Sequence, residues 1–370
     1  MKICKAVLLT LALQFVMCSC GGGGATVSTG PTPPDPPVAT PNYQQNVSLT
    51  SAWLSTQQLS DGAILYTSDK INPYFANLAA IGWLKDPNKI AQVQAWMQWY
   101  LDHLNSPDYN GLNGTIYDYT VSGGVEAPAN TYDSVDSYSA TFLSLAEALW
   151  NTGDSGAQTF IRGIGESKFQ TIANTITGLQ QSNGLVLAKP DYPIEYLMDN
   201  SEDFRGLMDF ASLSEQAWGD AATANSYQAY ATSIQSGIQN VLFIPAMGLY
   251  YTSAGAASPN LAHWYPDAVA QLYPIVNGVI ESSSSQATTL YSKFNTAWPG
   301  WTTLSFNSQD SFPWCVVGYT SYLMGDSTRA NKYLNAIQNK YVSATPAFPW
   351  PFYVSEAGWF MRTNAAMVQH

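Results

Sequence analysis

Carboxylic acids stand where two apolar segments of this sequence begin. Asp133 and Asp136 open one segment, and Asp199 and Glu202 open another with the same spacing. Peptide dipoles stabilise a charged carboxylate at a helix N-terminus, whereas packing among aromatic rings keeps a carboxyl protonated to higher pH. Two acids in such different environments can divide proton donation and water activation between them. The spacing also fits a helix cap followed by an acid at the third helical position, which requires no chemistry.

Tyrosine and tryptophan accompany these acids in the polar stretches, where basic residues are few. A sugar ring has apolar C–H faces and many hydroxyls, so a saccharide site needs flat aromatic surfaces beside carboxylate and amide acceptors. Turn formation, helix capping and core packing are the structural alternatives for such residues. The residues that we predict to contact a saccharide are Asp69, Tyr74, Tyr132, Asp133, Asp199, Trp264, Asp267, Trp314, Trp350 and Glu356.

A further acid, Asp61, precedes Gly62 in a polar stretch, where it could also shape a turn. Hydrolysis of a glycosidic bond requires one protonated carboxyl and one ionised carboxylate. We predict that Asp136, Glu202 and Asp61 supply the catalytic carboxyls.

Apolar residues recur about every 3.6 positions along most of the chain, which is the helical period. Clearly amphipathic stretches cover 90–104, 169–179, 227–241 and 333–341. Nearly uncharged stretches cover 72–84, 134–151, 202–218, 266–278, 312–325 and 355–368. With further helices at about 50–59 and 285–296, the two kinds alternate along the chain. We therefore predict an all-α fold, an (α/α)6 barrel or six-hairpin toroid, rather than an open helical array, which would show similar repeats and polar capping units.

The links between these helices differ in length. Those that leave the apolar helices are short, and those that enter them are long. Short links make helical hairpins, so all the long links must lie at one end of the barrel. The N-termini of the six inner helices then converge there, and this end is where we expect the site.

The N-terminal region has the pattern of an export signal. Residues 1–19 contain Lys2 and Lys5 before a short apolar run, which is typical of a signal peptide. Cys20 follows in a lipobox-like context and is predicted to be lipidated. Residues 20–45 are rich in Gly and Pro and predict an extended tether, and 46–370 form the catalytic domain. The expected location is the bacterial cell envelope, lipid-anchored, with an ordinary secretory signal as the alternative.

Composition limits the partners. The chain has 14 basic and 26 acidic residues, a net charge of −12, which argues against nucleic acid or an anionic lipid surface. Beyond Cys20 the only cysteine is Cys315, so a cysteine-based zinc site is not expected. We predict a monomer without a cofactor or metal that acts on a neutral or amino-sugar poly- or oligosaccharide.

The stretch Asp133-Ser134-Val135-Asp136-Ser137-Tyr138 is similar to the Asp-rich helix start of glycoside hydrolase family 8. The resemblance implies that Asp136 faces the sugar at the cleavage point. More generally, the sequence resembles the six-hairpin glycosidase superfamily, where acidic loops lie over an inner ring of helices. The second acidic motif of family 8 is replaced here by Ser68-Asp69 and Asn72-Pro73-Tyr74.

Other functions stay open. A non-catalytic glycan-binding lipoprotein would need the same aromatic cleft without a working pair of acids. An (α/α)-barrel polysaccharide lyase would need a Tyr, His or Asn as base and acid, with a cation or amides that neutralise a uronate. Tyrosine is abundant, but His263 is the only histidine on a candidate loop, and arginine is scarce there. A terpene-type cyclase would use an Asp-rich motif with Mg²⁺, but an exported protein meets no isoprenoid diphosphate. An exported glycoside hydrolase is the interpretation that we favour.

Overall fold

The computed structural model describes residues 40–368, which form a predominantly helical unit. Cys20, the predicted signal peptide and most of the predicted tether lie outside the described residues. Helices α1 to α13 are, in chain order, Tyr43–Gln57, Pro73–Trp83, Ile90–Asp102, Val135–Trp150, Ser155–Ile164, Glu166–Leu179, Leu197–Leu213, Ala221–Gly237, Tyr273–Val276, Ser285–Ala297, Cys315–Leu323, Ser327–Ile337 and Val354–Met367. Among residues 40–368, no helix combines the length and apolar character that a membrane crossing requires.

Six helices form a closed inner ring. Helix α2 contacts α4, α4 contacts α7, and the contacts continue through α9, α11 and α13 back to α2. These are the six nearly uncharged segments of the sequence. Because the last of them packs against the first, the array is closed, and the prediction of an (α/α)6 barrel is confirmed.

Amphipathic helices cover the outside of this ring. Helices α3, α6, α8 and α12 pack against α2, α4, α7 and α11, and α1 packs against α13. Helix α10 contributes Phe294, whose ring packs against Trp264. Each outer helix buries one apolar stripe and leaves its polar face in water, which is what the sequence period predicts.

Glycine allows the ring to close tightly. A Cβ atom at Gly82 of α2 would lie 2.3 Å from the carbonyl oxygen of Gly358 in α13. A Cβ atom at Gly358 would lie 2.1 Å from the carbonyl oxygen of Leu78. Neither position can hold a larger residue unless the two helices separate.

Three details differ from the expected helices. Helix α1 begins at Tyr43, well before residue 50, because the side chain of Asn42 caps it by accepting from the Gln45 amide at 3.0 Å. Helix α5 was not anticipated, and it is separated from α6 by Gly165 in a conformation with φ of 85°. The fourth inner helix is short because Pro274, near its start, lacks the amide that would continue an earlier helical turn.

Short strands lie in the long links. Strands β1 (Lys70–Ile71), β2 (Tyr119–Ser122) and β3 (Val125–Pro128) form an antiparallel sheet in which Ile71 pairs with Tyr119 and Thr120 with Ala127. Strands β4 (Phe243–Ile244) and β5 (Leu249–Tyr250) form a hairpin. These pairings fix loops that precede α2, α4 and α9.

A cavity of about 370 Å³ lies among the C-terminal halves of the inner helices and is called the basal cavity below. Its charged lining residues are Glu147, Arg205, Asp209, Glu281 and Arg362. Arg205 forms a two-point ion pair with the buried Asp209, and its Nε lies 2.9 Å from Asp209 Oδ2. The Arg362 guanidinium stacks 3.9 Å from the ring centre of Trp359. Most of these charges therefore have a partner within the fold.

Candidate active site

A larger cavity opens at the other end of the barrel, where the inner helices begin; we call it the cleft. Its volume is about 640 Å³, and the start of every inner helix contributes to its lining. Leu78, Glu202 and Trp359 border both the cleft and the basal cavity and so form the floor between them. The long links thus meet at one end, as their lengths predict.

Glu202 lies at this floor, one turn into α7. It is 5% exposed, and its Oε1 accepts a hydrogen bond of 2.6 Å from the Tyr74 hydroxyl at the start of α2. Burial raises the pKa of Glu202 well above its ordinary value, against the lowering effect of Tyr74. A hydrogen bond from the neighbouring helix α2 therefore fixes one carboxyl oxygen of Glu202 at the floor of the cleft.

Asp199 is in the first turn of the same helix and is only partly buried. Its Oδ2 lies 2.9 Å from the hydroxyl oxygen of Ser134, the residue that precedes α4. Burial raises the pKa of Asp199 to about 6, and the nearby Asp133 contributes to this rise. Asp199 can therefore exchange a proton near neutral pH.

Glu356 lies in the first turn of α13 and is 4% exposed. Its Oε2 accepts a 2.6 Å hydrogen bond from the backbone N–H of Cys315, at the start of α11. Burial raises the pKa of Glu356 to about 7, and the hydrogen bonds from the start of α11 oppose that rise. This second carboxyl also titrates near neutral pH.

The residue before that amide, Trp314, has a left-handed backbone with φ of 56° and ψ of 53°. Such a conformation costs a bulky residue about 1–3 kcal/mol, and strain of this kind is often found at functional sites. Trp314 donates through Nε1 to Asp310 at 2.9 Å, and its ring stacks 4.8 Å from that of Tyr265. The strained turn thus aims an aromatic face into the cleft and a backbone amide at Glu356.

Aromatic rings form much of the cleft wall. Trp350 is 60% exposed and packs edge-on against Phe312, with ring centres 5.7 Å apart. Tyr353 and Tyr265 also line the cavity, and Tyr265 is exposed. Exposed rings beside acids are the surfaces that a sugar needs.

The charged residues that line the cleft are all acidic. Its lining contains the acids Asp133, Asp199, Glu202, Asp310 and Glu356, and none of the lining residues that the structure describes is Lys, Arg or His. Also within residues 40–368, no group of three or more His, Cys, Asp or Glu is arranged to hold a metal ion. The cleft therefore repels anions.

No family model matches the chain, and no curated protein matches its sequence. Solved structures do match its fold. A wild-type glycosidase superposes with a TM-score of 0.63 at 11% identity, over 88% of this chain and 97% of that one. A variant glycosidase in complex with glucose gives 0.62 at 11% identity, over 88% and 97% of the two chains.

The GH63 mannosylglycerate hydrolase of Thermus thermophilus, in complex with glucose, superposes with a TM-score of 0.60 at 12% identity, over 87% of this chain and 100% of that chain. Such likenesses establish a common fold, the helical toroid of these glycosidases. None of the three is described as a family 8 enzyme, so that narrower resemblance stays a prediction.

The cleft brings together most of the acids and rings that the sequence singled out. The predicted residues that line it are Tyr74, Asp133, Asp199, Glu202, Trp314, Trp350 and Glu356. Asp136 is 0% exposed and is not part of the lining; it lies behind Ser134, in contact with the Ser134 hydroxyl. The predicted catalytic residue of the family 8 resemblance therefore does not reach the cavity itself.

Two of the predicted acids shape turns instead. Asp61 is exposed and accepts from the Ala63 amide at 3.2 Å, and the neighbouring Gly62 packs against the backbone of outer helix α3. Asp69 is exposed and accepts from Thr67 Oγ1 at 3.0 Å. Neither lines the cleft. The assignment of Asp61 to catalysis and of Asp69 to substrate contact is corrected accordingly.

Three other predicted contacts also lie outside the lining. Tyr132 is buried and donates to Asp108 at 2.8 Å. Trp264 is 0% exposed and stacks 3.9 Å from the ring of Phe306. Asp267 pairs with His263 Nδ1 at 3.0 Å. Tyr132 and Asp267 therefore have polar partners within the fold, whereas the ring of Trp264 is packed in the core and its Nε1 has no hydrogen-bond partner.

Some lining residues were not predicted as contacts. Tyr273 and Trp359 lie inside apolar segments of the sequence and line the cleft. Trp359 follows Glu356 by three positions in α13, a spacing that puts both on one helix face. The helical offset from a candidate acid was the signal that could have revealed it.

Proposed function

We propose that this protein is a glycoside hydrolase whose catalytic carboxyls are Asp199 and Glu356. The single observation that carries the proposal is their placement: α7 and α13 are separated by two inner helices on either side of the ring, so they begin on opposite sides of the cleft. Carboxyls must flank the scissile bond in this way for one to protonate the leaving oxygen and the other to act at the anomeric carbon.

The pair replaces the predicted trio of Asp136, Glu202 and Asp61. Asp136 is screened from the cavity, Asp61 lies in an exposed turn, and Glu202 is tied to Tyr74 at the floor. In the proposed reaction, one carboxyl of the pair gives its proton to the glycosidic oxygen as the C–O bond breaks. The other takes a proton from the attacking water or attacks the anomeric carbon itself.

The charge of the cleft supports a neutral or amino-sugar substrate. The mannosylglycerate hydrolase acts, by its name, on a sugar joined to a carboxylate-bearing group. The lining of this cleft offers five carboxyls and no described cation to such a group. A cavity of about 640 Å³ is within the range of roughly 300–1,000 Å³ that suits a small ligand, so the end of an oligosaccharide or a small glycoside is the expected substrate.

A panel of nitrophenyl glycosides tests the proposal. It contains neutral hexosides, amino-sugar glycosides and a glucuronide, in both anomeric forms, with disaccharides assayed for released glucose. We expect hydrolysis of a neutral or amino-sugar member and none of the glucuronide. Asp199→Asn and Glu356→Gln should each lower kcat/KM by about 10²–10⁴-fold, whereas the matched control Asp267→Asn should not.

Dinitrophenyl glycosides then divide the two roles, because a good leaving group needs no protonation. The variant that lacks the acid keeps activity on them, and the variant that lacks the base loses it. Saturable sugar binding without hydrolysis by the wild type would instead favour a glycan-binding lipoprotein, and unsaturated products from a uronate polymer would favour a lyase.

We also propose that the protein is exported and lipid-anchored through Cys20. The support is the sequence pattern of residues 1–24. Expression in a bacterial host with an alkyne-labelled fatty acid should label the wild type and leave Cys20→Ala unlabelled. Cys18→Ala is the control, because Cys18 offers a second possible cleavage and lipidation position two residues earlier.

A further inference from the structure

The hydroxyl of Ser134 lies between two carboxyls. Its oxygen is in hydrogen-bond contact with Asp136 Oδ1 and lies 2.9 Å from Asp199 Oδ2. A serine hydroxyl has a single proton, so it can donate to only one of them, although its oxygen can accept from the other. The direction of this bond decides whether Asp199 is a donor or an acceptor.

Donors converge on Asp136. Burial and the nearby Asp199 raise the pKa of Asp136 well above its ordinary value, and the backbone N–H of Ser137, which donates to the same Oδ1 atom at 2.7 Å, opposes that rise. Donors directed at a carboxylate favour its charged form. If Ser134 also donates to Asp136, the Ser134 oxygen presents only lone pairs to Asp199.

A second buried carboxyl completes the arrangement. Asp203 is 0% exposed, and neither of its oxygens has a hydrogen-bond partner; Asp136 Oδ2 has none either. Burial raises the pKa of Asp203 well above its ordinary value, and the nearby Asp136 raises it further. Neither residue takes part in an ion pair among residues 40–368. A proton on Asp203, donated to Asp136 Oδ2, satisfies both orphaned groups.

We propose that Asp203, Asp136 and Ser134 form a hydrogen-bonded chain that keeps Asp199 protonated and thereby makes Asp199 the proton donor of the cleft. Protonated Asp203 donates to Asp136, ionised Asp136 accepts from Ser134, and the Ser134 oxygen accepts the proton that Asp199 carries. The negative charge on Asp136 adds to the effect because a like charge opposes ionisation of Asp199. Ser134, Asp136 and Asp203 are positioning residues, and the inference rests on the proposed hydrolase function.

Ser134→Ala tests the direction of the bond through the sign of one shift. The basic limb of the kcat/KM profile against pH reports loss of the proton from the acid. If Asp199 donates to Ser134, the alanine removes support for the protonated form, and the limb moves to lower pH. If Ser134 donates to Asp199, the alanine moves the limb to higher pH, which would overturn the proposal. Ser201→Ala is the matched control, because Ser201 donates only to the backbone oxygen of Leu197 at 2.6 Å.

The two buried acids have their own variants. Asp136→Asn removes the neighbouring negative charge and should shift the basic limb of the kcat/KM profile to lower pH by about one unit. Asp203→Asn keeps a donor toward Asp136 and should leave the limb in place, whereas Asp203→Leu removes the donor and should lower it. An unmoved limb in both Ser134→Ala and Asp136→Asn contradicts the chain. A shift on adding EDTA to the wild type would show a cation, rather than a proton, between Asp136 and Asp203.

A readout without turnover separates this proposal from the hydrolase proposal. The infrared difference between wild type and Asp199→Asn, recorded across pH, reports the protonated carboxyl of Asp199 directly. Its midpoint should fall in Ser134→Ala even if no glycoside in the panel is cleaved. An unchanged or raised midpoint would exclude the chain whatever the activity assays show.

Discussion

The cleft and the basal cavity share a floor but differ in how their charges are met. In the basal cavity the buried Asp209 has Arg205 as an ion-pair partner, and Arg362 rests on the ring of Trp359. In the cleft, the acids have no cation in the lining that the structure describes. Acids without a cationic partner in a cleft are more typical of functional sites than of structural ion pairs, so this difference supports the proposal that the cleft is the functional end.

Burial acts on acids at both ends. It raises the pKa of Asp209 to about 6 even against the lowering effect of Arg205, and it raises the pKa of Asp199 to about 6 and that of Glu356 to about 7. The difference between the two regions is therefore the presence of a partner and not the depth of burial. Substitutions that change stability and activity independently test this difference between the two cavities.

The largest expected effect is on the cleft side, with Glu356→Gln. The folded pKa of Glu356 is raised from 4.5 to about 7, so its contribution to stability is present below pH 4.5 and is lost as pH rises through about 7. At 1.36 kcal/mol per pKa unit, the ionised group costs about 3 kcal/mol at pH 8. The variant should be more stable than wild type at pH 8 by an amount of this order, with no gain at pH 4, in urea unfolding. Equal stabilities at pH 8 would contradict an unmatched charge.

Arg205→Met makes the opposite change at the basal end. The variant leaves the buried carboxyl of Asp209 without its cation, which should cost about 1–3 kcal/mol in the free energy of unfolding. Activity on the best glycoside should stay within a few-fold of wild type. The double variant Arg205→Met/Asp209→Leu should recover much of the lost stability, because two well-packed apolar residues can replace an ion pair. A large loss of activity without a loss of stability would give Arg205 a role in the cleft.

Trp350→Ala should have the smallest effect of the three. The ring is 60% exposed at the cleft wall, so its loss should change the free energy of unfolding by no more than about 0.5 kcal/mol. Loss of one aromatic contact with the sugar should raise KM about tenfold, equivalent to roughly 1.4 kcal/mol, with kcat little changed. Trp264→Ala is the contrasting control, since that ring is completely buried and its loss should destabilise the protein without a selective effect on KM.

The fold was predictable because the helical signal repeats along the whole chain. Uncharged segments alternate with amphipathic ones, and the short and long links alternate with them, so the inner ring and its active end follow from pattern alone. Gly165 shows the limit of such reasoning, because a single residue with φ of 85° separates α6 from α5, a helix that the pattern of apolar residues did not predict. The spacing of apolar residues predicts the inner and outer layers of helices more reliably than it predicts where each helix begins and ends.

The site was less predictable, because the direction in which a side chain points depends on the rotation of its helix about its axis and on partners far along the chain. Asp136 and Asp199 both stand in first helical turns, yet only Asp199 lines the cavity. Trp264 and Trp350 both lie in long links, but Trp264 is covered by Phe306, far along the chain. No local property of the sequence distinguishes the members of these pairs.

The glycine contact between α2 and α13 has a chemical consequence. Glu356 lies two residues before Gly358 in α13, so the position of its carboxylate depends on how closely α13 approaches α2. Catalytic carboxyls about 5–5.5 Å apart give retention at the anomeric carbon, and those roughly 6.5–9.5 Å apart give inversion. A methyl group at Gly82 would displace α13 together with Glu356, so under the proposed function a residue that never meets the sugar would influence the stereochemistry of the product.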